Sequence, residues 1–166
     1  MTEPPPRRLL LDLSATSRNW ALTDEGEARI RREAPPGWEV VRVSAATSSD
    51  GDGPAGGSDE AVRLIGNAEA YFGFGFTPDL LAAAKRLRWV HSAAAGVGNV
   101  LNSGIGSTDI LVTNSAGVHG APIAEFVVAG ILHFLRGLDV AIAQQQRGEW
   151  SKAFFVALDA PLRELS

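Results

Sequence analysis

Over the first two-thirds of the chain, hydrophobic positions come in short, nearly unbroken runs. They fall at 8–13 (RLLLDL), 39–43 (EVVRV), 70–74 (AYFGF), 87–91 (LRWVH) and 110–113 (ILVT). Runs this short are strand-sized, and the scarcity of alternating polar positions is the pattern of strands buried on both faces of a parallel sheet. Between them lie stretches patterned as helices. One is predicted at 24–33, capped by Thr23 and stopped by Pro35-Pro36-Gly37. Others are predicted at 59–67 and 78–86, with a helical turn at 99–102. The stretch 45–58 (AATSSDGDGPAGGS) is small, polar and glycine-rich, and reads as a surface loop. Strands alternating with helices predict an α/β fold: a five-stranded parallel sheet flanked by helices. Ligands in such sheets bind beyond the carboxyl ends of the strands, where strand order reverses. The loops at 74–76, 92–98 and 114–119 are therefore the places to look for a site.

The pattern then changes. From Pro122 to Leu135 only Glu125, Gly130 and His133 interrupt an apolar run. Pro122 marks a helix start, because a first-turn proline lacks only an N–H that has no partner there. Glu125 is expected in that first turn, where the helix dipole favours a carboxylate. Continued to Trp150, this is one helix of roughly 40 Å at about 1.5 Å per residue, longer than a small domain is wide. Glu125, Arg136, Asp139 and Arg147 fall in a single stripe of it. A rod wetted along one stripe is predicted to lie between two bodies, as an interdomain or dimerisation helix over 120–150. The flavourless alternative is a core helix of one self-contained domain.

Composition narrows the chemistry. A formal net charge of −4 in 166 residues shows no basic face for nucleic acid. The absence of cysteine removes disulfides, thiolate nucleophiles and cysteine metal sites. The apolar run is shorter than the roughly 20 residues of a membrane span, so no membrane role is expected. Asp12 cuts the leucines of MTEPPPRRLLLDLS after three, too few for a secretory segment, which points to the cytoplasm. No pair among His91, His119 and His133 has metal-ligand spacing, so no metal is expected. No Gly-x-Gly-x-x-Gly nucleotide turn follows a strand. The loop Ser92-Ala93-Ala94-Ala95-Gly96-Val97-Gly98 has no acid or base; what it offers is backbone that a carboxylate can approach closely.

Three spaced blocks carry a resemblance. Val112-Thr113-Asn114-Ser115-Ala116-Gly117-Val118-His119 with Pro122-Ile123-Ala124-Glu125-Phe126 resembles the signature of the D-isomer-specific 2-hydroxyacid dehydrogenases. Trp89-Val90-His91-Ser92 with Ala95-Gly96-Val97 is similar to the substrate loop of that family, and Gly148-Glu149-Trp150 to the end of its interdomain helix. The resemblance covers 70–150 and implies a flavodoxin-like substrate domain over 1–119. It implies a long helix over 120–150 packed against an NAD(P)-binding domain and a second subunit. It implies that 151–166 is a connector to that domain, which the chain stops short of.

Residue by residue, the resemblance implies that Ala95, Gly96 and Val97 bind the carboxylate of a small 2-hydroxy or 2-oxo acid. Phe74 and Gly75 would line its pocket, and Asn114 would lie at the hinge beside the nicotinamide of NAD or NADP. Gly98 departs from the family, which carries a polar residue there. The family's catalytic arginine, glutamate and histidine have no counterpart in this sequence, so no catalytic residue is assigned and the chain alone is expected to be inactive. The alternative is a stand-alone carboxylate-binding or dimerisation module. A phosphoacceptor receiver, which shares the architecture, lacks its clustered acids and its lysine here.

Overall fold

The computed structural model describes residues 6–16, 20–46 and 57–156. They form two compact units, Met1–Gly117 and Val118–Ser166. The first unit is the sheet. Its strands are β1 (Arg7–Asp12), β2 (Trp38–Arg42), β3 (Ala70–Gly73), β4 (Trp89–Ser92) and β5 (Leu111–Asn114). All neighbours are parallel, in the order β2-β1-β3-β4-β5, so strand order reverses between β1 and β3. This is the flavodoxin-like arrangement, and the pairing Asp12↔Gly73 marks the carboxyl end of the reversal.

The helices of this unit are α1 (Asp24–Glu33), α2 (Asp59–Ile65), α3 (Pro78–Ala83) and α4 (Gly98–Leu101). Each of the first three starts where a side-chain oxygen satisfies an unpaired amide. Thr23 accepts from Gly26, Ser58 from Ala61, and Thr77 from Leu80 just ahead of Pro78. One face of the sheet presents Leu10, Tyr71 and Val90 to a core completed by Ile65 of α2, Leu80 of α3 and Val100 of α4. Towards β5 the residues of alternate parity are more open, Trp89 at 40% and Leu111 at 60% exposure. Most of the predicted glycine-rich loop, residues 47–56, lies outside the described residues.

The second unit corrects the single long rod. The helix breaks at Gly137 into α5 (Gly120–Leu135) and α6 (Leu138–Gln146), followed by α7 (Ala153–Val156). The axes of α5 and α6 diverge by 66°. At the break Gly137 adopts φ +62°, a left-handed conformation that an L side chain disfavours. Phe154 and Phe155 also crowd the space that a Cβ would take, the former at 2.5 Å. Apolar residues resume at helical spacing after Arg136 and Gly137, at Leu138, Ala141 and Ile142, so hydrophobic periodicity gave no sign of the break. The stripe does not survive it, since Arg136 ends α5 while Asp139 opens α6. Glu125 also moves: the helix begins two residues before Pro122, with His119 as its cap, which puts Glu125 beyond the first turn.

No residue of α5 is buried; Phe126 is 79% and Phe134 69% exposed. No single helix among the described residues is long and apolar enough to cross a membrane, although α5 and α6 pass that test jointly across their bend. Residues 157–166 of the connector lie outside the described residues.

Candidate functional site

The carboxyl edge of β3, β4 and β5 brings three of the sequence-predicted loops side by side. Their register is fixed by the ladder pairs Gly73↔Ser92 and Ser92↔Asn114. The loop after β4 is then tied to both neighbours. The amide of Ala93 donates to the Gly73 carbonyl at 2.8 Å, and that of Ser115 to the Ala94 carbonyl at 3.2 Å. Asn114 Nδ2 donates to the Ala95 carbonyl at 2.5 Å, so this side chain braces the loop between β4 and α4. Ser92, itself buried, accepts from the Ala94 amide at 3.3 Å.

These ties use the amides of Ala93 and Ala94 and the carbonyls of Ala94 and Ala95. The N–H groups of Ala95, Gly96 and Val97 have no hydrogen-bond partner among the described residues, and Ala95 and Gly96 are exposed. A Cβ at Gly96 or Gly98 would meet nothing within 4 Å, so there is room for a ligand against the backbone. Gly98 is the first residue of α4.

Phe74 and Gly75 sit on the adjacent loop. Gly75 is buried, and its carbonyl accepts from the Tyr71 hydroxyl at 2.8 Å. Phe74 is half-buried and meets Trp20 edge to face, with ring centroids 5.9 Å apart. Trp20 belongs to the loop after β1, on the other side of the strand reversal, a loop that the sequence reading passed over. Asp12 and Tyr71 were also missed. The signal for Asp12 was present: an acid within RLLLDL, in a strand expected to be buried.

His91 lies behind the loop and is wired at both nitrogens. Trp89 Nε1–H donates to Thr113 Oγ1 at 2.8 Å, and Ser115 Oγ donates to the Ser92 carbonyl at 3.1 Å. Thr113 is then free to give its own proton to His91 Nδ1 at 2.8 Å, while Ser115 receives from Nε2–H at 3.3 Å. Donation from Thr113 to Nδ1 and from Nε2–H to Ser115 fits a neutral Nε2–H imidazole, and burial pushes the His91 pKa below the ordinary value. With both nitrogens engaged it orders β4, β5 and Ser115 rather than serving as a base. The sign of the linkage follows. Because the folded pKa is depressed, the unfolded chain takes up the proton first, so stability falls as pH drops through the ordinary imidazole range towards the folded value. Nitrogen-15 spectra should show His91 still as the neutral Nε2–H tautomer at and below the ordinary imidazole pKa; protonation of His91 at or above that value would remove this assignment. His133 contacts Phe134 edge to face at 5.0 Å, and His119 caps α5.

Among the described residues of the sheet unit, three helix starts are acidic and so repel a pyrophosphate: Asp24, Glu25 and Glu27 open α1, Asp59 and Glu60 open α2, and Asp79 opens α3. Helix α4, which has no acid in its first turn, is a single turn of four residues. The one Gly-x-Gly-x-x-Gly spacing in the sequence, from Gly51 to Gly56, falls outside the described residues, and the helix after it is α2 with its two acids.

No protein-family model and no curated protein matches the sequence. Solved structures do match the fold. One is a D-isomer-specific 2-hydroxyacid dehydrogenase family protein from Aeromonas salmonicida, 24% identical over 88% of this chain and 41% of its own, with a TM-score of 0.64. A probable 2-hydroxyacid dehydrogenase from Rhizobium etli, solved with NADP, HEPES and L(+)-tartaric acid, is 23% identical over 88% of this chain and 40% of its own (TM-score 0.56). An NADPH-dependent glyoxylate/hydroxypyruvate reductase from Sinorhizobium meliloti, solved with citrate, is 19% identical over 89% and 40% (TM-score 0.55). The chain thus shares its fold with parts of these dehydrogenases and spans about two-fifths of their length.

Proposed function

We propose that this chain is the substrate-binding portion of an NAD(P)-dependent oxidoreductase acting on the CH–OH group of D-2-hydroxy acids, and so on the corresponding 2-oxo acids. The observation that carries the reading is the run of three unpartnered amides, Ala95, Gly96 and Val97, braced by Asn114 beside Phe74 and Gly75. A carboxylate accepts such N–H groups well, and each charge-assisted bond is worth about 1.5–3 kcal/mol. Phe74 and Trp20 give the edge an apolar wall for the short carbon chain of the acid. The neighbours solved with tartaric acid and citrate support the same ligand class.

In this reading the chain binds and orients the acid. The nicotinamide cofactor is NAD or NADP by likeness to the neighbours, and hydride transfer needs a cofactor site that the sheet unit does not supply. Its compartment is the cytoplasm. The exposed apolar residues of α5, Phe126 and Phe134 among them, support a homodimer formed through that helix.

The test is a titration of the full chain with glyoxylate or hydroxypyruvate, followed by amide ¹H–¹⁵N spectra. The largest shifts are expected at Ala95, Gly96 and Val97, with smaller ones at Phe74 and Asn114. Saturable shifts elsewhere, or none at millimolar ligand, would refute the reading.

A further inference from the structure

Asp12 closes β1 at the point where strand order reverses, and nothing in the acid-binding edge uses it. It is 2% exposed. Its Oδ2 lies 2.8 Å from the Tyr71 hydroxyl, and the same hydroxyl lies 2.8 Å from the Gly75 carbonyl oxygen. A phenol carries one proton, while a carbonyl and an ionised carboxylate can only accept. Two contacts of hydrogen-bond length around one hydroxyl therefore require a second proton, and Asp12 is the one partner able to carry it. We propose that Asp12 is held as the neutral acid, donating to Tyr71, which in turn donates to Gly75, so that a single carboxyl proton fixes the turn bearing Phe74 and Gly75.

The surroundings agree with the count. Asp12 Oδ1 is buried with no hydrogen-bond partner among the described residues, a costly position for an ionised oxygen and a tolerable one for a neutral acid. Burial pushes the Asp12 carboxyl above its usual range; the Tyr71 bond pulls the other way, and the charge of Glu60 adds to the rise. Glu60, on α2, is itself held by the amides of Ser44 and Ala45. The nearby cation on β2, Arg42, is committed to Glu27 and Asp24 of α1 and to the Leu22 carbonyl. No cation among the described residues pairs with Asp12.

Ionisation has a structural consequence. Once the proton leaves Asp12, the one proton of Tyr71 must serve either a buried carboxylate or the Gly75 carbonyl, and the turn loses a tie in either case. Asp12 is thus a positioning residue for the edge that carries Phe74, and its state sets how firmly that edge is held. This holds whichever acid the edge binds. A raised folded pKa means that the native state keeps a proton the unfolded chain has lost. Stability is therefore highest at and below the ordinary aspartate range and falls as pH rises towards the folded value.

The test uses the full chain and needs no ligand. Carboxyl ¹³C spectra should show Asp12 still protonated at a pH above the ordinary aspartate range. The Phe74 and Gly75 amide shifts should move with the Asp12 midpoint. In Asp12→Asn those coupled shifts should vanish. Across the same window the wild-type folding equilibrium should fall relative to the variant by up to about tenfold per pH unit. Titration of Asp12 within the ordinary aspartate range overturns the proposal, as do Phe74 and Gly75 amides that ignore its titration. The wild-type spectra decide the matter even if the variant fails to fold.

Discussion

Gly73→Ala is expected to lower the stability of the chain by about 2–6 kcal/mol, although it adds one methyl group to a strand. Tyr71 and Gly73 share a face of β3, and the Tyr71 side chain runs over Gly73 towards Gly75. A Cβ at position 73 would lie 2.5 Å from the Tyr71 hydroxyl oxygen and 2.7 Å from Cζ. The ring has nowhere to go. It is 1% exposed, and it stands edge to face against Phe76 at 5.2 Å. Overpacking of this kind costs about 1–3 kcal/mol. If the hydroxyl is displaced, Asp12 and the Gly75 carbonyl lose their partner, at about another 1–3 kcal/mol. Urea denaturation reads the sum as a lowered midpoint with an unchanged slope. Gly66→Ala is the control: the nearest atom to its Cβ is the Ala83 carbonyl oxygen at 3.5 Å, and the change should fall within about 0.5 kcal/mol. Equal stability of the two variants would mean that Tyr71 does not occupy that space.

The contrast between these glycines shows what the sequence could and could not say. Strands and helices of the sheet unit were legible because their causes are local. Thr23 and Thr77 cap the helices that follow them, and runs such as RLLLDL are too short and too apolar to be anything but buried strands. The strand-to-helix alternation carried the fold class, and the carboxyl edge followed from it. The failures have non-local causes. Tyr71 and Asp12 are 59 positions apart and meet only once β1 and β3 pair. The same holds for Trp20 against Phe74, and for Thr113 against His91. Gly137 breaks the rod in concert with Phe154, which lies beyond the whole of α6, whereas the apolar pattern on either side favours continuity. The residues 95–97 are intermediate. Their composition said that only backbone was on offer, and the fold was needed to show that those amides are unpaired.

Gly96→Asp is expected to separate binding from folding, weakening the affinity for 2-oxo acids by about fivefold to nearly a thousandfold while leaving stability within about 0.5 kcal/mol of wild type. Folding should be indifferent because Gly96 is exposed and its Cβ would meet nothing within 4 Å. Binding should not be, because the new carboxylate stands among the amides proposed to receive the ligand's own. Two like charges about 4 Å apart repel by about 1 kcal/mol in water and about 4 kcal/mol at the effective dielectric of a protein surface. That range sets the expected loss, and added salt should recover part of it by screening. Gly96→Ser tests whether charge rather than bulk is responsible: it fills similar space and should bind within a few-fold of wild type. Calorimetric titration with glyoxylate or hydroxypyruvate gives the affinities, and thermal melts give the stabilities. If the aspartate variant binds these acids as tightly as wild type does, their carboxylate is held somewhere other than at 95–97.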